Sequence, residues 1–542
     1  MTPPFDLALV GGGSVGISFL NQFLEAYAHL SRSPLRILVF EPNAEPGPGA
    51  AYQTDASTNL LNIPAEGMSA RESDRGHFVA WLRTQPEDLL KRHGVDAIDP
   101  AAFLPRALFG DYLRDLYQAT CEAARKRQIE IVHVQARVDR IAIGSDDLVI
   151  LSSALGGHAS AYVVLCNGNL PSCAFPNLEN KPGYSNSPYP VQHLLETIPR
   201  HSRVGIVGTS LSAVDAIVAL AANGHRGQIT AMSRHGRLPA VRSPHNLRPA
   251  ALRHTSRQAL AELAQSSNGQ LTLDQVKGAL LKELSLLDPV LDLADITGGI
   301  GPAREQLDAE VARSSAGARP WQALAAATNP AIDLIWQLLP YGEKQHFQQT
   351  LRSFWMARRA TFPMRNALTL QALMHRGQLE VQGDFSDCTF DDASKTFHIT
   401  FGANDAENGG TAATLSFDHL INATSFSLDV GCAKDPLVCN LIASGYAQPN
   451  PFGGFALDFE TGCLRSSENV VLERISALGS LACGTYFWTL SMDVNARLAQ
   501  AQAVRIATAL CERTTIPPAY AYDLMCVRRN DVASRANIHI YD

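Results

Sequence analysis

The sequence predicts an α/β protein with two Rossmann-like dinucleotide-binding units and a helical insertion. Three observations carry this prediction. A strand, a glycine loop and a helix open the chain around Gly11, Gly13, Ser14 and Gly16. A second strand, loop and helix begin at Val204 and run through Gly208, Ser210, Leu211 and Ser212. Each unit continues into a strand with a charged end, Glu41 in the first and Arg234 in the second. Two such loops in one chain point to two dinucleotides with electrons passing between them.

The first unit reads as a strand over 7–10, a helix over 14–30 and a strand over 35–40. Gly11 permits the tight turn, Gly13 lets backbone approach a pyrophosphate, and Gly16 allows close helix–strand packing. The helix N-terminus then offers unpaired N–H groups to phosphate. Glu41 is placed to accept hydrogen bonds from ribose hydroxyls. Residues 42–75 form a loop-rich stretch, with Tyr52 and Asn62, of the kind that wraps the rest of a cofactor. Short β segments follow at 129–137, 148–152 and 161–165, the last leading into Asn167 and Gly168.

The second unit repeats the plan, with a strand over 204–207, a helix over 210–222 and a strand over 228–232. Ser210 and Ala213 stand where the second and third glycines would be, and both are small enough for close approach. Arg234 lies where the ribose-reading residue belongs, and a cation there suits a 2′-phosphate. The first site thus reads as a ribose-hydroxyl site and the second as an NADPH site. Strands at 379–381, 397–401 and 420–423 close the unit, and Thr424 occupies an exit like that of Gly168. The repeat is one of whole domains rather than of short solenoid units.

Residues 244–363 are rich in Ala, Leu, Gln, Glu and Arg, with helical spacing over 260–287 and 332–355. They read as a helical subdomain, either a lid over substrate or an embellishment. The stretch 298–319 reads as a flexible loop, and 352–359 as part of an amphipathic helix. After 423 the chain must return to the first domain, through loop-like segments at 453–454 and 476–484 and a helix over 492–510.

At 542 residues the chain is too long for one ordinary core. Its formal net charge of −7 supplies no basic field for nucleic acid. Ten cysteines include no C-x-x-C, which argues against a zinc ribbon and a thioredoxin-like dithiol, and no metal site is expected. The absence of a basic-then-apolar leader, and of any apolar run of ~20 residues, points to a cytoplasmic enzyme without membrane association.

These residues together resemble a group of bacterial FAD/NAD(P)-binding flavoproteins allied to the amine N-hydroxylating monooxygenases, including aspartate-oxidising members. The resemblance runs from Gly11–Gly16 and Phe40-Glu41-Pro42 through Gly49–Tyr52, Leu60–Ala65 and Met68-Ser69. It continues through 78–82, Pro105-Arg106, Gly110–Tyr112, Gly208–Asp215, Ser233–Gly236, Pro239, Trp355, Arg358 and Pro363. It implies an FAD/NAD(P)-linked fold with FAD in the first site, NADPH in the second and molecular oxygen as co-substrate. The expected domains are 1–195 for FAD, 200–244 and 363–430 for NADPH, 245–362 for the insertion, and 431–542 for the return to the FAD domain.

The implied reaction is oxygenation of the nitrogen of a small amine or amino acid through a flavin hydroperoxide. The flavin carries that chemistry, with Asn62 and Ser69 as candidates near its ring. Arg71, Arg242, Arg248 and Arg358 are candidate anion-binding groups for substrate. Two departures stand out. Ser425 replaces a glycine common after Ala-Thr, and Gly484–Trp488 replaces the Gly-Asp pair that meets the FAD ribityl chain, with Asp493 as a partial substitute. Two other readings remain open: an NAD(P)H-dependent FAD oxidoreductase without oxygen insertion, and a non-catalytic dinucleotide-binding protein.

Overall fold

The computed structural model describes residues 3–515, apart from 246–251, 289, 291, 300 and 403–412. Arg248 therefore lies outside the described residues. Apolar runs make the first sheet. β1 (Phe5–Val10) and β2 (Arg36–Phe40) are almost wholly buried, as strands covered on both faces must be. β3 (Glu130–Val134) extends the sheet beyond β2. β4 (Val138–Ile143) and β5 (Val149–Ser153) form a hairpin that leads into β6 (Gly156–Leu165). The first part of β6 pairs antiparallel with β5, and its last part pairs parallel with β1.

The second sheet starts with β7 (Tyr184–Ser185) and continues with β8 (Val204–Val207) and β9 (Ile229–Met232). β10 (Leu379–Gln382) flanks β9. β11 (Phe385–Asp391), β12 (Thr396–Phe401) and β13 (Ala413–Phe417) make a separate antiparallel sheet. β14 (His419–Asn422) returns between β8 and β7. Finally β15 (Cys463–Arg465) and β16 (Val471–Ala477) bring the chain back to the first sheet, where β16 pairs parallel with β6.

The two halves share one topology. The first has the parallel order β3-β2-β1-β6-β16, and the second has β10-β9-β8-β14-β7. Each carries an antiparallel three-stranded element before its fourth parallel strand. Because β7 belongs to the second sheet, the boundary expected between 195 and 200 moves back to at least Tyr184.

The Ser14–Leu30 helix buries Phe19, Leu20, Phe23 and Leu24, and packs along the Met492–Thr515 helix. Gln22 Nε2 donates to Ala496 O at 3.0 Å across that contact. The insertion is helical as expected, from Arg257–Gln265 to Arg352–Arg359. Its core of Leu260, Leu271, Trp336, Leu339 and Phe347 is completed by Phe452 and Phe487 of the returning segment.

Two expectations need correction. The stretch expected to be a flexible loop over 298–319 contains the Ala303–Ala316 helix, whose Leu307 and Val311 enter the second domain's core. At 476–484 a loop was expected. β16 runs to Ala477 instead, followed by helical turns at Gly479–Ala482 and Cys483–Tyr486. These residues are buried against the first sheet, and internal hydrogen bonding is the only way to satisfy buried backbone there.

Candidate dinucleotide and substrate sites

The two nucleotide loops are built by the same close contact. Gly11 has φ +107°, and a Cβ on it would stand 2.2 Å from the Cys166 carbonyl oxygen. Gly208 has φ +119°, and its Cβ would stand 2.4 Å from the Ala423 carbonyl oxygen. The bracing bonds match as well. Gly11 N donates to Phe40 O at 2.9 Å and Gly208 N to Met232 O at 2.7 Å. Cys166 N and Ala423 N each donate at 2.7 Å to the end of the strand beside them, at Val10 O and Val207 O. Only glycine fits either position. Both loops lie at the carboxyl ends of parallel strands, where open α/β sheets bind ligands.

In the first site Gly13 packs backbone to backbone on Gly49, whose Cβ would approach Gly13 Cα to 3.0 Å. This seats the wrapping stretch directly on the nucleotide loop. Neither Gly13 nor Ser14 caps the helix with a side chain, and no acidic residue occupies its first turn. No side chain of the helix itself therefore competes for its first amides. The buried Glu41 carboxylate accepts from Gly12 N at 3.0 Å and from Asn43 N at 3.0 Å, which fixes it beside the loop. Gly168 follows β6 with φ +78°, and the Asn167 Oδ1 beside it is buried without a partner. Asn62 is half-buried, and no side-chain hydrogen bond holds it. These features leave polar groups at Asn167 and Asn62 open beside a glycine loop, which fits a dinucleotide site.

Tyr52 instead turns its ring onto Phe109, with centroids 4.9 Å apart, and burial raises its pKa. It supports the wrapping loop by packing. Ser69 does not fit a place at the ring, because its hydroxyl donates to Asp74 O at 2.7 Å and accepts from Arg71 N at 3.0 Å. That hydroxyl belongs to a local turn.

In the second site Ser210 is the N-cap of the Leu211–Ala222 helix and makes no side-chain capping bond. Leu211 and Ser212 are half-buried on its first turn. Thr209 Oγ1 lies 3.0 Å from Ser233 Oγ and donates to Arg237 O at 2.6 Å, which ties the loop to the end of β9. Arg234 is exposed, with no ion pair among the described residues. Arg352, from the insertion, lies close enough for the Arg234 charge to add to the burial that lowers its pKa. The Thr424 hydroxyl donates to Asn422 Oδ1 at 2.6 Å and keeps its lone pairs. Ser425 adopts φ +98°, a strained value for a residue with a side chain.

The two halves meet at a buried ion pair. Arg106 Nη2 lies 2.6 Å from Asp215 Oδ2, and the Tyr189 hydroxyl donates to the same oxygen at 2.5 Å. Arg106 Nε also donates to Leu60 O at 3.1 Å, next to the wrapping loop.

Of the arginines proposed for substrate, two are already committed. Arg71 pairs with Glu25 on the first helix. Arg358 pairs with Glu310 at 2.9 Å and donates to Asp295 O at 2.7 Å. Beside it, Arg319 bridges Glu310 and Asp295 at 2.6 Å each, so this group staples the insertion together. Arg242 has no ion pair among the described residues. Burial, and then the neighbouring Arg359 charge, lowers its pKa to about 10.

Arg359 is the group that spacing did not reveal. Its guanidinium donates to Asn329 Oδ1 and sits 5.3 Å from the Trp488 ring centroid, and burial lowers its pKa to about 10. Arg242 and Arg359 are both half-buried. Asp493, the suggested ribityl substitute, is engaged by Ser491 and Asn329 and joins the last helix to the insertion. The neighbouring Phe487 has φ +64° and ψ −67°, with Trp488 N donating to Tyr486 O at 2.8 Å. That strained three-residue turn is held by rings of Trp336 and Trp355, at 4.7 and 5.0 Å.

Among the described residues no group of three or more His, Cys, Asp or Glu is arranged to hold a metal. No described helix is long and apolar enough to cross a membrane.

Residues 8–170 match a family model described as FAD-NAD(P)-binding, which covers the first loop through Gly168 and Leu170. An Escherichia coli (strain K12) protein, the uncharacterized protein YdhS, is 27% identical over 309 residues. That match spans 52% of this chain and 55% of the relative, so about half of each. The fold is also that of solved flavoenzymes. The reduced form of the ornithine hydroxylase PvdA from Pseudomonas aeruginosa has a TM-score of 0.55 at 14% identity, over 94% of this chain and all of that one. The L-lysine 6-monooxygenase from Pseudomonas syringae gives 0.55 at 14%, with the same coverage. The Kutzneria sp. 744 ornithine N-hydroxylase KtzI gives 0.54 at 16%, over 95% of this chain and all of that one. The chain therefore shares the α/β fold of these enzymes, with two Rossmann-like sheets, and residues 8–170 match an FAD-NAD(P)-binding model.

Proposed function

We propose that this chain is an FAD-dependent, NADPH-using monooxygenase that oxygenates the nitrogen of a small amine or amino acid bearing a carboxylate. The observation that carries the reading is the pair of equivalent loops with unlike strand ends, Glu41 in one and Arg234 in the other. In this reading Gly11, Gly13, Ser14, Gly16, Glu41, Asn62 and Gly168 hold FAD. Gly208, Ser210, Leu211, Ser212, Arg234 and Thr424 hold NADPH, with Arg352 adding a second cation. FAD, when bound, supplies the redox chemistry, taking electrons from NADPH and passing them to oxygen.

The protein's own part is placement and electrostatics. Arg242 and Arg359 bind the substrate carboxylate, since two neighbouring half-buried guanidiniums, offset in part by Asp493, favour an anion. The same pair disfavours an ammonium nearby, so the substrate amine is held as the free base, the form whose lone pair can react. Trp488, Phe487 and Trp355 pack as apolar surface beside Arg359 and in this reading keep water away. The kinship in fold with ornithine and lysine hydroxylases supports N-oxygenation, and the cationic pair favours an acidic rather than a basic substrate end.

The test is a screen of amino acids with FAD-loaded protein, NADPH and oxygen, read by mass spectrometry alongside oxygen uptake. An N-oxygenated product from a carboxylate-bearing amine is expected. NADPH oxidation at one rate with every amine, yielding peroxide alone, would leave an FAD reductase without oxygen insertion as the function. A colourless protein with no NADPH turnover would leave a dinucleotide-binding protein without catalysis.

A further inference from the structure

The two connections between the domains run side by side. One leaves β6 through Leu170 and Cys173, and the other leaves β14 through Ser427 and Cys432. They are joined by an antiparallel bridge at Leu170 and Ser427, with Ser427 N donating to Leu170 O at 3.1 Å. On that bridge stand two thiols from opposite connections. Cys173 Sγ donates to the Cys432 carbonyl at 3.1 Å, and Ser427 Oγ lies 3.4 Å from Cys432 Sγ. Cys432 is also the leading influence raising the Cys173 pKa. Cys432 is exposed and Cys173 half-exposed, whereas Cys166, Cys388, Cys463 and Cys483 are buried. Cys439, also exposed, donates to Ala433 O at 3.2 Å within its own segment and does not reach the other connection.

We infer that Cys173 and Cys432 form an oxidation site: a disulfide between them closes on exposure to a hydroperoxide and staples the two interdomain connections together. The chemistry balances with one oxidant. Hydrogen peroxide transfers an oxygen to one thiol in its thiolate form, giving a sulfenic acid, and the expelled hydroxide takes up the thiol's proton and leaves as water. The second thiol attacks that sulfur, the S–S bond forms, and a second water leaves. Two thiols lose two protons and two electrons, and one peroxide becomes two waters. The bond joins positions about 260 residues apart, so it restrains a long stretch of unfolded chain and raises stability. It also fixes the connections through which any rotation of one domain on the other must pass, so it slows a reaction cycle that needs such motion.

The experiment treats the full-length, flavin-loaded protein with hydrogen peroxide and maps its cysteines by non-reducing peptide mass spectrometry. The expected result is a cross-linked pair of peptides carrying Cys173 and Cys432, with an upward shift in thermal midpoint of at least about 3 °C. NADPH oxidation should fall several-fold, and dithiothreitol should reverse all three changes. C173S and C432S should each abolish the cross-link and the response, and C439S should leave both intact. Recovery of Cys173 and Cys432 in separate peptides after oxidation would overturn the site, as would a Cys432–Cys439 bond. A cross-link that forms with no change in turnover would overturn its control of the cycle. Because the cross-link is read without activity, its failure is distinguishable from failure of the proposed monooxygenase reaction.

Discussion

Replacing Asp215 by alanine and Arg106 by methionine should give two destabilised proteins with different pH behaviour. The pair is close, at 2.6 Å, with the Asp215 side chain only 6% exposed and that of Arg106 21% exposed. Burial lifts the Asp215 carboxyl above the ordinary carboxylate range, against the pull of Arg106. Arginine does not lose its proton in a protein, so Asp215→Ala leaves a cation stranded at the domain interface. Breaking a buried pair in this way costs about 3–5 kcal/mol, at any pH from 5 to 8.

Arg106→Met leaves a carboxyl that can accept a proton. Its native pKa then lies further above its unfolded value. Below about pH 4 the group is protonated in both states and adds no cost. Above that, the cost grows by about 1.36 kcal/mol per pH unit until the raised native value is reached. The parent shares this cost up to its own, lower native value, so the extra loss of the Arg106→Met protein builds up only between the two native values and is at most about 2.7 kcal/mol larger at pH 7 than at pH 5. Urea unfolding followed by tryptophan fluorescence at the two pH values measures this. Equal losses for both variants at both pH values would mean that the pair is solvated, and the reasoning from burial would fail.

Other consequences are simpler to read. Gly11→Ala should yield a protein that does not retain yellow flavin, because its Cβ would meet the Cys166 carbonyl at 2.2 Å; absorbance at 450 nm after desalting checks this. Arg234→Ala should raise KM for NADPH at least tenfold and leave KM for NADH nearly unchanged, and equal losses would remove the 2′-phosphate role. Ser425→Gly should stabilise the protein by about 0.5–1 kcal/mol in a thermal or urea melt by relieving φ +98°. Arg359→Met should raise KM for a carboxylate-bearing amine far more than it changes NADPH oxidation without substrate.

The parts of the fold legible in the sequence were those with a local physical signature. β1, β2 and β8 are short runs of buried apolar residues followed by glycine, and their helices follow at once. β4, β11 and β13 were not read. β4 carries Asp139 and Arg140, β11 carries Asp387 and Asp391, and β13 is mostly exposed, so no apolar run marks any of them. The substrate arginines show the limit of spacing. Arg71 and Arg358 look free until Glu25, 46 residues away, and Glu310, 48 away, are seen beside them. Arg359 passed for one more cation on an amphipathic helix, and only folding brings Asn329 and Trp488 around it.

The contact between Gln22 and Ala496 also bears on how the protein is made. It joins residues 474 apart, and the helix carrying Ala496 covers the one that follows the first nucleotide loop. A ribosome adding about 5–20 residues per second needs roughly 25–95 s to travel between them. The second domain, by contrast, has all its strands once β14 is synthesised. The inner domain should therefore fold first while the outer one waits with an uncovered apolar helix, a window in which a chaperone has its purchase. Pulse proteolysis of chains stalled after residue 440 would show a protected core spanning 184–423 and a cleavable N-terminal region. Protection of the N-terminal region at that length would reverse this order.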